Sequence, residues 1–311
     1  MSEYSKIIGH ENIISQLISA VSMSKINHAY IFNGPDGSGK NMLAKAFAQA
    51  LLCEKQGIEP PELPESPKLQ SIGKVELTEA ASLFENLDNI GEKHHVPVPE
   101  GMEYFGQNFG LIYYETTLKG KYNASPMYVK NVHDFADVYF DGKKKTSIDR
   151  TLYSVEGKTT LKDVIFKKKK GESSPFLMPA LSGERKIGVL VDTMGRVNYG
   201  ENMLDRKGIS DIYLGIQRLM NYDVWTLPLD NLDKLKYSSS VKKEEPVFLK
   251  GSFKTDSKAD CFVHLDGFNR GCVYINGFNL GRFWKVGPQK SLYIPGTLLK
   301  DENEIKNKTQ S

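Results

Sequence analysis

The fourteen residues Gly57–Gln70, GIEPPELPESPKLQ, contain four prolines. Proline fixes φ and removes a backbone donor, so neither a helix interior nor a central strand can run through such a stretch. It reads as a linker over residues 56–70. The chain on its two sides has different hydrophobic periods.

Before the linker the period is helical. Ile13, Ile14, Leu17, Ile18 and Val21 fall on one face of an amphipathic helix. His28–Phe32, HAYIF, reads as a short buried strand. Leu43, Ala46, Phe47, Ala50 and Leu51 mark a second helix, rich in good helix formers.

Between strand and helix lies Gly34-Pro35-Asp36-Gly37-Ser38-Gly39-Lys40, the spacing of a phosphate-binding loop. Glycines let backbone N–H groups approach phosphate oxygens at the positive end of a helix. The candidate phosphate contacts are Gly34, Gly37, Gly39 and Lys40, with Lys40 reaching the β- and γ-phosphates. Asn41 stands where Ser or Thr would hold Mg²⁺. No acidic strand-end residue or further parallel strand fits before the prolines. Residues 1–55 are therefore expected to be a truncated α/β P-loop segment. No cofactor is expected of it, Mg-ATP being the one its loop would admit.

Beyond the linker, short apolar runs alternate with turn signals: Phe109–Leu118, Phe135–Gly142, Lys186–Gly195, Cys261–Gly267, Gly271–Gly277 and Lys290–Gly296. Period-2 strands with Asp-Gly and Asn-Gly turns predict a mainly β protein of antiparallel sandwiches or jelly rolls. A first β-sandwich is expected over residues 71–235, with a long insertion near 153–184 around KKKKGESSP. Residues 236–311 supply the strands of a second jelly roll, set off by the polar run Lys236–Pro246.

Composition excludes several classes. With 40% hydrophobic and 25% charged residues the chain is not disordered. A net charge of +3 gives no general reason to expect nucleic acid, and Lys167–Lys170 reads as a solvated loop. No apolar run approaches the roughly 18 residues of a membrane span. The polar N-terminus lacks a leader, and the expected location is the cytoplasm. Cys53, Cys261 and Cys272 lack metal spacing. A hairpin carrying Cys261 and Cys272 would set them out of register for a bridge, so three free thiols are expected.

Smaller groups have competing readings. Phe278, Arg282, Phe283 and Trp284 offer either a sugar-stacking platform or the packed edge of a jelly roll. Arg196, Asn198 and Tyr199 read as a polar turn. His94-His95 reads as a solvated loop, and His133 beside Asp134 as structural hydrogen bonding. No metal site is expected.

The stretch from Ile7 to Glu54, with Ile8-Gly9-His10, His28-Ala29-Tyr30 and Gly34–Lys40, resembles the opening of bacterial clamp-loader subunits of the AAA+ class, the DNA polymerase III delta-prime type. From about Leu63 to Ile305 the chain resembles the tail of family 35 β-galactosidases. The motifs NFGLIYYETTL, NVHDFADVYFDG, IGVLVDTMGRVNYG and GCVYINGFNLGRFWKVGPQKSLYIPG carry that resemblance. It implies β-sandwich domains of galactose-binding-like fold that follow a catalytic (β/α)₈ barrel. Arg196, Asn198, Tyr199, Arg282 and Trp284 are then candidate carbohydrate-binding or barrel-facing residues.

The two carboxylates of a retaining glycosidase sit about 5 Å apart, on barrel strands in that family. A barrel takes at least ~200 residues, and none is seen here. No catalytic residue is therefore assigned, and the chain alone is expected to be inactive. The ending NEIKNKTQS is expected to leave the last sheet short of an edge strand. The favoured function is that of the non-catalytic β domains of a β-galactosidase-like hydrolase fused to a P-loop remnant. Its expected partners are galactosides or a separate glycosidase barrel, with no membrane and no nucleic acid. The alternatives are an ATP-binding clamp-loader subunit, whose partners would be the other clamp-loader subunits, and a misjoined gene product.

Overall fold

The computed structural model describes residues 4, 7, 9–23, 25–35, 37–52, 71–150, 175–238 and 245–310. The proline linker, Cys53, Lys167–Lys170 and most of the expected insertion lie outside the described residues. The chain divides into two compact units, Met1–Lys68 and Leu69–Ser311.

The first unit contains α1 (Glu11–Ser22) and α2 (Lys40–Leu52). Leu17, Leu43 and Phe47 form its small core, with Ile14, Val21, Tyr30 and Phe32 packed against it. Tyr30 meets Phe47 edge-on at 4.8 Å. Ile13 and Ile18 point outward, so the apolar stripe of α1 is narrower than the expected face. The expected strand His28–Phe32 is not formed. Tyr30 and Phe32 turn inward while Ile31 is 94% exposed, so the two-residue alternation survives. A strand also needs a neighbour to hydrogen-bond, and the described residues of this unit provide none.

The second unit is built from antiparallel strands. The first six are β1 (Leu77–Ser82), β2 (Glu92–Val96), β3 (Leu111–Tyr122), β4 (Ser125–Lys130), β5 (Phe135–Phe140) and β6 (Lys143–Asp149). A one-turn helix α3 (Leu87–Ile90) precedes β2. Next come β7 (Phe176–Met178), β8 (Leu181–Asp192), β9 (Asp211–Leu214), β10 (Gln217–Arg218) and β11 (Tyr222–Leu227). The last are β12 (Val247–Lys254), β13 (Cys261–His264), β14 (Arg270–Ile275), β15 (Phe278–Trp284), β16 (Ser291–Ile294) and β17 (Glu302–Gln310).

They form four sheets, ordered β10-β9-β4-β7, β2-β11-β3-β8-β5-β6, β1-β12-β17-β14-β15 and β13-β16. Side-chain alternation explains how they stack. Val189 and Val191 of β8 join Met127, Val129 and Ile212 in the core shared with the four-stranded sheet. Leu190, on the opposite face of β8, joins Tyr113, Trp225, Phe248 and Tyr274 in the core shared with the five-stranded sheet. Val273 and Ile275 of β14 face the third core, with Leu292, Ile294 and Ile305. The six- and five-stranded sheets are thus covered on both faces, which accounts for the continuous apolar runs LIYY, VLV and CVYI in β3, β8 and β14. Each large apolar side chain buried this way contributes on the order of 1.5–3 kcal/mol.

Several expectations are corrected here. The terminal NEIKNKTQ is neither an edge nor a loose end. It is β17, which pairs with β12 over Glu302–Thr309 and with β14 over Ile305–Gln310. Its lysines hid that position, because Lys306 and Lys308 are buried and ion-paired. Cys261 and Cys272 do not share a hairpin: β13 pairs with β16, whereas β14 pairs with β15 and β17. Both thiols are free and buried. His94 and His95 lie in β2, paired with β11, not in a loop. β1 joins β12 in the five-stranded sheet, so one strand of that sheet comes from the start of the unit.

Candidate functional site

In the second unit the two most specific sequence motifs meet. β8 ends at Asp192, and the chain leaves the sheet through Thr193, Met194 and the exposed turn that follows. β15 carries Arg282, which pairs with the Asp192 carboxylate and also reaches the Met194 sulfur at 3.5 Å. A cleft of about 410 Å³ opens beside this contact, lined by Asp134, Asp149, Arg150, Arg196, Lys207 and Trp284 among others.

Two polar groups hold the cleft in shape. The Asp134 carboxylate accepts from Lys207 Nζ at 2.8 Å, Arg150 at 3.1 Å and the Met194 amide at 2.9 Å. Burial alone would raise its pKa, but Lys207, the Met194 amide and Arg150 together hold it below the usual carboxylate range. Arg196 donates to Glu103 at 2.5 Å, and Glu103 also accepts from the Lys207 amide. Burial raises Glu103, while Arg196 and that amide bring it below its ordinary value. An acid held ionised by two cations is poorly suited to donate a proton near neutrality. Asp134 therefore serves to fix the loop. His133 donates through Nδ1 to the Arg206 carbonyl, 2.8 Å away, a structural bond like the one expected.

Beneath the cleft lies a buried ionic cluster that the sequence did not announce. Asp192 contacts Arg282, Lys308 Nζ at 3.3 Å and Arg270 Nε at 3.5 Å. Arg270 also approaches Asp137 at 3.4 Å and stacks on the Phe135 ring. Burial raises the Asp192 pKa, yet Arg282, Lys308 and Arg270 outweigh it and hold the carboxyl well below the usual range. The signal for this cluster was an acid ending an apolar strand in VLVD and a lysine in NKT, neither of which shows its partner in sequence.

The candidate residues thus divide. Arg196 and Trp284 line the cleft, and Arg282 forms its underlying support. Asn198 and Tyr199 project into solvent on the adjoining turn, with Tyr199 88% exposed. Val197, Met203 and Leu204 are exposed beside them, Leu204 by 91%. Phe283 faces the third core and Phe278 the solvent, so Phe278–Trp284 present no single platform.

These matched segments and neighbouring ones are also what comparison with known proteins picks out. Residues 159–229 match the family model described as β-galactosidase, first all-beta domain, and residues 246–304 match that of β-galactosidase, galactose-binding domain. The second unit is similar to the β domains of β-galactosidases. A "Beta-galactosidase" of Xanthomonas manihotis is 29% identical over 92% of this chain and 47% of its own. "Beta-galactosidase 8" of Oryza sativa subsp. japonica is 30% identical over 86% of this chain and 44% of its own. The human "Beta-galactosidase-1-like protein 2" is 35% identical over 70% of this chain and 33% of its own. The chain spans less than half the length of each of these three relatives. Residues 9–92 match the model of DNA polymerase III, delta subunit, which runs past the first unit into the second.

In the first unit, the phosphate-loop residues stand at the start of α2. Gly37 and Gly39 adopt positive φ, 80° and 78°, a conformation that costs glycine little. The Lys40 ammonium donates to the Pro35 carbonyl at 3.1 Å, across the loop it closes. His10 Nε2 lies 2.9 Å from the Ser38 carbonyl. Asn41 is exposed on the first turn of α2. Among the described residues, no group of three or more His, Cys, Asp or Glu side chains is placed to hold a metal. Among the described residues, no helix is long and apolar enough to cross a membrane.

Proposed function

We propose that Leu69–Ser311 acts as the non-catalytic β module of a family 35 β-galactosidase-like glycoside hydrolase. In this reading the Met194–Leu204 turn and the cleft beside Trp284 face a catalytic barrel. One observation carries it: MGRVNYG and NGFNLGRFW converge through Arg282, Asp192 and Met194, beside a turn that exposes Val197, Tyr199, Met203 and Leu204. Apolar side chains grouped on a surface, rimmed here by Arg196 and Glu103, suit burial against another protein face. The module would position the barrel, while the barrel supplies both carboxylates. A galactoside would be held between Trp284 and the Arg196 edge of the cleft.

The test is association of the full chain with a separately expressed glycosidase barrel, followed by size-exclusion chromatography and aryl-galactoside hydrolysis. A complex that Tyr199→Ser with Leu204→Ser disrupts supports the reading. Hydrolysis by the full chain alone, or a complex indifferent to both substitutions, overturns it.

A second reading concerns Met1–Lys68, favoured by the positive φ of Gly37 and Gly39 at the start of α2. Gly34, Gly37, Gly39 and Lys40 would hold the phosphates of Mg-ATP, with Asn41 at the metal position. Lys40 would exchange its Pro35 contact for phosphate oxygens. The unit would then join other clamp-loader subunits. Nucleotide affinity that is unchanged in Lys40→Ala removes this reading.

A further inference from the structure

Between the five-stranded sheet and the β13-β16 pair lies a cavity of about 650 Å³. Its walls include Ile72, Val75, Phe253, Val263, Ile294 and Ile305. Its volume falls in the usual range for small-molecule sites. It has one polar feature of note. Asn307 lines it and is 0% exposed. Neither Nδ2 nor Oδ1 of that side chain has a hydrogen-bond partner among the described residues.

The placement follows from β17. Asn307 shares a face with Ile305, which lines the same cavity, while Lys306 and Lys308 point to the opposite face. Its register neighbours, Leu249 on β12 and Val273 on β14, offer only apolar side chains. Other buried asparagines are satisfied internally. Asn86 bonds Ser82 and Lys236, and Asn303 bonds Lys300 and Asn276. A buried amide without partners is costly, so a site that retains one in an apolar chamber is suited to a molecule that supplies them.

We infer that this cavity binds a small, uncharged amphipathic molecule, an alcohol or primary amide with an apolar body. Such a head group accepts from Nδ2 and donates to Oδ1 at once. A carboxylate only accepts, so it leaves Oδ1 unpaired and buries its own charge against aliphatic walls. The apolar body fills the space between Ile72, Phe253 and Ile305. Lys74, His264 and Asp266 also line the chamber but are exposed to solvent, and His264 is already engaged with Ser291 at 2.7 Å. This site is separate from the Trp284 cleft and does not depend on a barrel.

The experiment is a ligand-observed NMR titration of the full chain with hexanamide, hexan-1-ol and sodium hexanoate. Hexanamide and hexan-1-ol are expected to bind in competition, with hexanoate about tenfold weaker or worse. Asn307→Leu should weaken hexanamide about thirtyfold, the equivalent of two lost neutral hydrogen bonds. Ile72→Trp, outside any strand, should fill the chamber and abolish binding of all three. It decides the matter if Asn307→Leu fails to fold. Absence of saturable hexanamide binding, equal binding of hexanoate, or an affinity unchanged by Ile72→Trp overturns the inference.

Discussion

Lys308 Nζ lies 3.3 Å from the Asp192 carboxylate, and both side chains are only 1% exposed. The contact joins the last strand of the chain to the end of β8, and so ties the five-stranded sheet to the six-stranded one. Burial pushes the Lys308 ammonium below its usual range, while Asp192 stays ionised because Arg282 and Arg270 also face it. Taking one partner away therefore depends on which partner goes. Asp192→Ala leaves three cations without their shared anion and should cost about 3–5 kcal/mol. Lys308→Met leaves Asp192 with two arginines and should cost clearly less. Urea unfolding of the two variants checks the order, and equal losses would refute the account.

Acid should unfold the β unit through the same groups. Asp192, Asp134 and Glu103 all have folded-state pKa values below their ordinary ones. Such groups stabilise the fold above the unfolded pKa, about 4, and this stabilisation is lost as pH falls toward the lower folded value. The melting midpoint should therefore hold between about pH 7 and pH 5 and fall below about pH 4. In Asp192→Asn that acid-side slope should be shallower. A midpoint insensitive to pH down to 3 would contradict it.

Gly271 lies on β14, opposite Thr309 of β17. A Cβ there would fall 1.7 Å from the Lys308 carbonyl oxygen. Gly271→Ala should cost at least ~3 kcal/mol by forcing the two strands apart. Gly277→Ala, at positive φ but with open space around it, should cost only about 1–2 kcal/mol. Thermal melts of both variants make the comparison.

Removing residues 302–311 deletes a central strand and leaves β12 and β14 without their shared partner. The truncated chain should be insoluble or lose its cooperative melt, because two open strand edges and the third core become exposed. A soluble, cooperatively melting product would show that β17 is dispensable.

The Trp225 indole donates to Asp88 at 2.7 Å, linking β11 to α3. Trp225→Phe keeps most of the packing against Tyr113 and loses only that bond. A loss of about 1 kcal/mol is expected in urea unfolding. A loss above ~3 kcal/mol would mean that the ring's packing, not the bond, dominates.

By itself the sequence determined what local chemistry can decide. Period 3.6 in Ile14, Leu17 and Val21 gave α1, and short apolar runs ended by turn signals, VLVD and CVYI, gave β8 and β14. Glycine spacing placed the loop before α2, and paired motifs placed Arg196, Arg282 and Trp284 among the candidates. Tertiary structure alone decided the rest, because it depends on partners far away in the chain. HAYIF has a strand's alternation but, among the described residues, no neighbour to pair with. NEIKNKTQ looks like a polar tail, yet it is a central strand because Asp192, more than a hundred residues earlier, neutralises Lys308. The orphaned amide of Asn307 is visible only once β12, β14 and β17 lie side by side, since a hydrogen bond that is not made leaves no mark on the sequence.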